Sequence, residues 1–393
     1  MEPEAQGNGS SVRKTIIWLV VLVLVVGGLV VYGSKGGGDK EAVSKGPIKI
    51  GVLLPLTGDG AVYGEPARNL YQMVVDDINA SGGINGQTLT LVVEDGKCNG
   101  KDATSAVQKL IEVDKVQVIV GGICSGETIP SVAIAEAKKV VMFSPAASSP
   151  DLTGLSPYFF RNYPSDAAQG RVLAEAAYNQ KKWKTVAFLQ EQTEYAVGIY
   201  NSFSSTFEAL GGKVIKEETT SGSTDFRSQL TKLKAAKADA LFVDTQTPAM
   251  SARIFKQMQD LKWKPAILLN DVTGGDPATV AEYKDLLEGA LTAQVLSDES
   301  NPKFQKMATD YVAKYGAEVP YKSSYAPTEY DALYIIRDAI LAVGYDGEKI
   351  AQWSRTVKDW DGASGKVTIE ASGDRVGGHT AQVIKDGEAE ILK

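Results

Sequence analysis

From Ile48 onward the chain repeats one unit: a short apolar run, a turn, then an amphipathic stretch. That alternation limits the fold more than any other feature. Strand candidates are Ile48–Leu54, Leu89–Glu94, Val116–Val120, Val140–Ser144, Thr185–Leu189, Lys213–Glu217, Ala240–Val243, Ala266–Leu269 and Ala290–Val295. Helix candidates between them include Glu65–Ala80, with Pro66 placed near its first turn, where a missing N–H does no harm. Lys101–Val113, Ala167–Gln180, Ala196–Leu210, Phe226–Ala236 and Pro248–Leu261 carry apolar residues at the same helical spacing. The strands are nearly continuous apolar runs, as expected where helices cover both faces of a parallel sheet. Such alternation argues for doubly wound α/β. Nine strands exceed one comfortable sheet, so two lobes follow. After Val295 the pattern turns helix-rich (Asn301–Tyr315, Pro327–Val343, Glu348–Val357) and ends in short strands at Lys366–Ile369 and Thr380–Lys385.

Composition removes several function classes. A formal charge of −7 disfavours nucleic acid as a partner. The single histidine, His379, leaves no multi-His metal site and no histidine relay. Only Cys98 and Cys124 are present, too few for a four-thiolate zinc site. The Gly58, Gly60, Gly64 run has GxGxxxG spacing and follows Pro55, so it is a poor dinucleotide fingerprint. There is no phosphate loop, and Cys124-Ser125-Gly126 is no nucleophile elbow. No enzyme, cofactor or metal is expected.

Arg13 and Lys14 precede a 17-residue apolar run, Ile16–Tyr32. As a helix it would be about 26 Å long, at the lower edge of a bilayer span. It reads as an uncleaved signal anchor with the body outside, or as a leader cut near Gly33. No cysteine follows it, so a lipid anchor is not expected. Ser34–Gly46 reads as a flexible tether.

Four features of residues 48–98 carry a resemblance: Pro55-Leu56-Thr57-Gly58 ending a strand, Tyr63-Gly64, the helix end Ile78-Asn79-Ala80-Ser81-Gly82-Gly83-Ile84, and Glu94-Asp95. Gly121-Gly122-Ile123-Cys124-Ser125, Ser144-Pro145-Ala146-Ala147-Ser148-Ser149-Pro150 and Glu194-Tyr195 extend it. The chain resembles bacterial branched-chain amino-acid-binding proteins (the leucine/isoleucine/valine-binding family), soluble receptors of ABC importers, over most of residues 47–393. The resemblance thins after about Val295. It implies the type I periplasmic binding-protein fold: two doubly wound Rossmann-like lobes joined by a three-segment hinge, here preceded by one N-terminal transmembrane helix. The expected division is 1–46 tail, anchor and tether; 47–166 plus 296–368 lobe 1; and 167–295 plus 369–393 lobe 2. The crossings would fall near Asp166, Val295 and Ile369.

Cys98 and Cys124 follow the second and third strands, at one end of a parallel sheet. A disulfide there suits an oxidising compartment and would add roughly 3 kcal/mol in the chain-entropy model; the alternative is two buried thiols. The family carries a bridge at the matching position.

Ligands of open α/β sheets bind beyond the carboxyl ends of strands. Tyr63 lies after the first strand, Ser125 after the third at a helix start near Glu127, and Ala146, Ala147 and Ser148 after the fourth. A helix N-terminus with a serine hydroxyl suits a carboxylate, and the Ala146 carbonyl suits an ammonium. The plain alternative for both serines is capping or turn chemistry. By the resemblance, Asp271 in LLNDVTGG is the ammonium's counter-charge, and Tyr195 closes over the ligand from the second lobe. The alternatives are an N-cap, which Asp276 or Thr273 would serve better, and a loop anchor. Gln246 stands where branched-chain binders often carry an aromatic residue or a glycine-rich loop, which favours a more polar ligand.

The expected protein is a monomeric, extracytoplasmic receptor at the bacterial cytoplasmic membrane, tethered through Ile16–Tyr32. It captures an amino acid, branched-chain by the resemblance, and delivers it to permease and ATPase subunits. The alternatives are a sensory ectodomain, which would need a signalling partner because no second apolar span follows, and a binder of another small amide or carboxylate solute.

Overall fold

The computed structural model describes Met1 and residues 46–393; the Ile16–Tyr32 run lies outside the described residues. Among those described, no helix is long and apolar enough to cross a membrane.

β1 (Ile48–Leu54), β2 (Leu89–Asp95), β3 (Val118–Gly121), β4 (Val141–Ser144) and β5 (Phe159–Arg161) form a five-stranded sheet in the order β2-β1-β3-β4-β5. All of its pairings are parallel, Ile48 facing Leu89 and Val120 facing Phe143. α1 (Ala61–Ala80), α2 (Gly100–Glu112) and α3 (Ser125–Ala137) are its crossovers. α1 starts a full turn before the expected Glu65, so Pro66 sits inside the helix rather than in its first turn. Gly64 fits because a Cβ there would meet the Pro55 carbonyl oxygen at 2.1 Å, which explains the Tyr63-Gly64 pair. β5 escaped the sequence pattern: three residues are too few for a period to show.

The second sheet takes β6 (Thr185–Glu191), β7 (Lys213–Thr219), β8 (Ala240–Asp244), β9 (Ala266–Leu269) and β10 (Leu291–Gln294), all parallel. α4 (Ala167–Glu175), α5 (Glu194–Ala209), α6 (Arg227–Ala235) and α7 (Pro248–Asp260) cover it, followed by the short α8 (Asp271–Gly274), α9 (Pro277–Glu282) and α10 (Lys284–Leu287). Caps mark the starts: Thr193 accepts from the Ala196 amide, Thr247 from Met250 and Asp276 from Thr279. α11 (Pro302–Tyr315), α12 (Tyr325–Val343) and α13 (Gly347–Ser354) come next, then the hairpin β11 (Trp360–Gly362) and β12 (Gly365–Val367). α12 packs against α1 of the first sheet. β13 (Thr380–Lys385) and β14 (Glu388–Ile391) then extend the second sheet, antiparallel, giving β14-β13-β10-β9-β8-β6-β7.

In chain order, β5 of the first sheet is followed by α4 and β6 of the second, and β10 by the helices α11–α13 and the β11–β12 hairpin before β13 rejoins the second sheet. Residues 47–393 form one compact unit, in which both sheets direct the carboxyl ends of their parallel strands toward a shared cavity.

Candidate functional site

Tyr63, Ser125, Ala146, Ser148, Tyr195 and Gln246 line one narrow cavity of about 30 Å³. Those residues come from five strand ends, three in the first sheet and two in the second. Of the eight expected contact residues, Ala147 and Asp271 do not line it. Ala147 is buried, and its carbonyl accepts from Arg161. Pro66, Ile123, Cys124, Val272, Pro320, Tyr321, Tyr325 and Glu329 complete the wall.

One end is built by α3. Its first-turn amides have no intrahelical acceptor, and Ser125, 1% exposed, adds a hydroxyl there. Ser125 Oγ accepts from the Ser149 amide at 3.1 Å, which leaves its own proton free to donate. The helix starts at Ser125 rather than near Glu127. Glu127 instead reaches back to cap it, accepting from the amides of Ile123 (2.7 Å), Cys124 (3.2 Å) and Cys98 (3.2 Å). Burial pushes the Glu127 pKa up to about 7. The Cys98–Cys124 disulfide pins the same turn, with Cα atoms 5.2 Å apart. β2 and β3 flank β1, so the bridge spans the strand between them.

The Ala146–Ser149 loop is held by a residue that no motif singles out. Arg161, fully buried, donates to the carbonyls of Ala147 (3.2 Å) and Ser149 (2.9 Å) and pairs with Asp374 at 2.7 Å. Ser148 does not point freely at a ligand; its hydroxyl meets Asp166 at 2.6 Å.

Asp271 lies one layer behind the cavity. Asn270 caps the helix it opens, so Asp271 is not spent as a cap. Its carboxylate accepts from the hydroxyls of Tyr195 (2.5 Å), Tyr325 (2.6 Å) and Tyr163 (2.8 Å), and from the Gln169 amide (2.9 Å). Tyr195 and Tyr325 line the cavity, so the charge reaches it through their hydroxyls. Gln169 also donates to Asp166 at 2.9 Å. Burial first, then the neighbouring Asp271, push the Asp166 pKa well above the usual carboxylate range. His379 is buried beside them, 3.5 Å from Asp166, and burial lowers its pKa to about 4. Asp166, Asp271 and His379 offer ligand atoms within 4.8 Å of one another, but both carboxylates already accept internal donors.

Tyr163, Gln169, Tyr325 and Glu329 were not anticipated as site residues. The only local signal was on α12, where the acids Glu329 and Asp331 interrupt an apolar helix.

A family model described as periplasmic binding protein matches residues 47–385, and the chain belongs to that family. It is 30% identical to the Leu/Ile/Val-binding protein BraC3 of Rhizobium johnstonii, over 83% of this chain and 88% of that one. A leucine-binding protein of Thermotoga maritima superposes with a TM-score of 0.79 at 29% identity, covering 88% of this chain and 98% of that one. The branched-chain amino acid transporter substrate-binding protein LivJ of Streptococcus pneumoniae, solved with isoleucine, gives 0.77 at 27% identity, covering 88% and 99%.

Proposed function

We propose that the chain is the extracytoplasmic receptor of an ABC importer and captures an α-amino acid, with the branched-chain ligands of its relatives as the reference class. The observation that carries this reading is the convergence of an α3 N-terminus, the Ser125 hydroxyl and the Asp271–tyrosine cluster on one cavity between two sheets. The α3 amides and Ser125 receive the carboxylate. The Ala146 carbonyl accepts from the ammonium, whose counter-charge is Asp271 acting through Tyr195 and Tyr325.

Residues 47–166 with 296–368, and 167–295 with 369–393, act as two lobes. The three crossings between the sheets are the hinge. Contacts made only when both lobes touch the ligand drive closure, and the closed form is what the permease and ATPase assembly reads. The apolar Ile16–Tyr32 run behind Arg13 and Lys14 supports a tether for a monomeric body outside the membrane.

Calorimetry of the full-length protein in detergent against the standard amino acids tests the reading. Micromolar or tighter binding of at least one is expected; uniformly flat traces would overturn it.

A further inference from the structure

Eight carboxylates among the described residues are buried: Glu127, Asp166, Glu191, Asp244, Asp271, Glu329, Asp331 and Asp374. Seven of them accept hydrogen bonds from protein groups: amides hold Glu127 and Glu191, Ser148 holds Asp166, Asn270 holds Asp244, Ser364 holds Asp331, Arg161 holds Asp374, and tyrosines hold Asp271. Glu329 is the exception. It is 4% exposed and lines the cavity, yet among the described residues it has neither a donor nor a cation, and burial alone acts on it.

An unpaired buried carboxylate is costly, so a chain retains one where something else completes it. The surroundings say what. Glu329 follows Tyr325 by one helical turn on α12, so the two share a face. Its charge acts on Tyr71 of α1, Tyr311 of α11 and Tyr321 before α12. The tyrosines that bond Asp271 are a different set, Tyr163, Tyr195 and Tyr325, so the two acids serve different parts of the cavity. The Tyr71 hydroxyl is itself buried without a partner. Pro66, Ile123 and Pro320 supply apolar wall suited to methylene groups.

Resting on the amino-acid reading above, we infer that Glu329 pairs with a cationic amine at the far end of the ligand's side chain, so that the cavity prefers a basic amino acid to an aliphatic one.

Full-length protein in detergent is titrated with lysine, ornithine, leucine and norleucine, then again as Glu329→Gln, with thermal melts confirming that the variant folds. At least one diamino acid should bind about tenfold or more tightly than norleucine, as a buried charge pair warrants. Glu329→Gln should erase that preference while moving norleucine by less than about threefold. Should the variant fail to fold, the wild-type pH profile decides. Burial raises the Glu329 pKa to about 8, so pairing with an amine expels its proton. Affinity for the diamino acid relative to leucine should then climb as pH rises toward 8, and a ratio that does not change with pH would overturn the inference. The facing Tyr71, Tyr311 and Tyr321 all titrate above their ordinary range and stay neutral, while Asp271 behind the cavity and Glu127, raised to about 7, act at the ammonium and carboxylate ends that all four ligands share, so they cancel in the ratio to leucine. Leucine or norleucine binding as tightly as both diamino acids would overturn the inference and leave the receptor reading standing. No binding of any amino acid would remove both.

Discussion

The Tyr63 hydroxyl donates to the Gln246 carbonyl at 2.9 Å, joining the helix after β1 of one sheet to the loop after β8 of the other. The Gln246 amide in turn donates to Glu191 at 2.6 Å, and Arg253 pairs with Asp59 at 3.2 Å alongside. Tyr63 is therefore both wall and latch. Tyr63→Phe keeps the ring and deletes the bond, which is worth on the order of 1 kcal/mol. Ligand dissociation in stopped-flow should quicken about fivefold while the denaturant midpoint stays put; an unchanged rate would show that the bond does not hold the closed form.

Ser125→Ala removes the cavity hydroxyl that the proposed function assigns to the ligand's carboxylate. A hydrogen bond to a charged group contributes roughly 1.5–3 kcal/mol, so affinity for the amino acid should fall about ten- to a hundredfold. Its decarboxylated amine should bind both proteins equally. Equal losses for both compounds would take Ser125 out of the carboxylate role.

Asp271→Ala leaves three buried tyrosine hydroxyls without their acceptor and takes one of two carboxylate acceptors from the Gln169 amide. Each orphaned group costs about 1–3 kcal/mol, so chemical denaturation should show a loss of several kcal/mol. Binding of an amino acid should weaken far more than binding of its deaminated analogue. If both weaken alike, Asp271 is a scaffold for the tyrosines and not the ammonium's counter-charge.

His379 is held neutral by burial, with a pKa of about 4 against about 6.5 in an unfolded chain. The unfolded state then binds more protons between those values, so this group's contribution to stability is complete above pH 6.5 and is lost as pH falls through 4. The loss integrates to about 3 kcal/mol. Urea titrations of wild type and His379→Gln over that window should show a stability difference shrinking by about that amount toward low pH. A difference independent of pH would mean that the folded protein accommodates the imidazolium.

Much of this protein was legible in its residues. Apolar runs such as Ile48–Leu54 and Ala240–Val243 announce strands covered on both faces, and spacings such as Leu70, Met73, Val74 and Ile78 announce the helices over them. Strand ends then locate Tyr63, Ser125, Ala146, Ser148, Tyr195 and Gln246 near one another, because ligands of such sheets meet the carboxyl ends.

What the residues could not announce is who answers whom across distance. Tyr163 and Tyr325 bond one carboxylate from 108 and 54 positions away, and Arg161 pairs with Asp374 across 213. Periodicity records that a face is buried, since burial of a face selects apolar residues at a fixed step along one segment. It does not record which other segment does the burying. Whether a buried acid is satisfied, like Asp271, or left facing a cavity, like Glu329, depends on donors brought in from elsewhere by packing, and only the tertiary structure decides that.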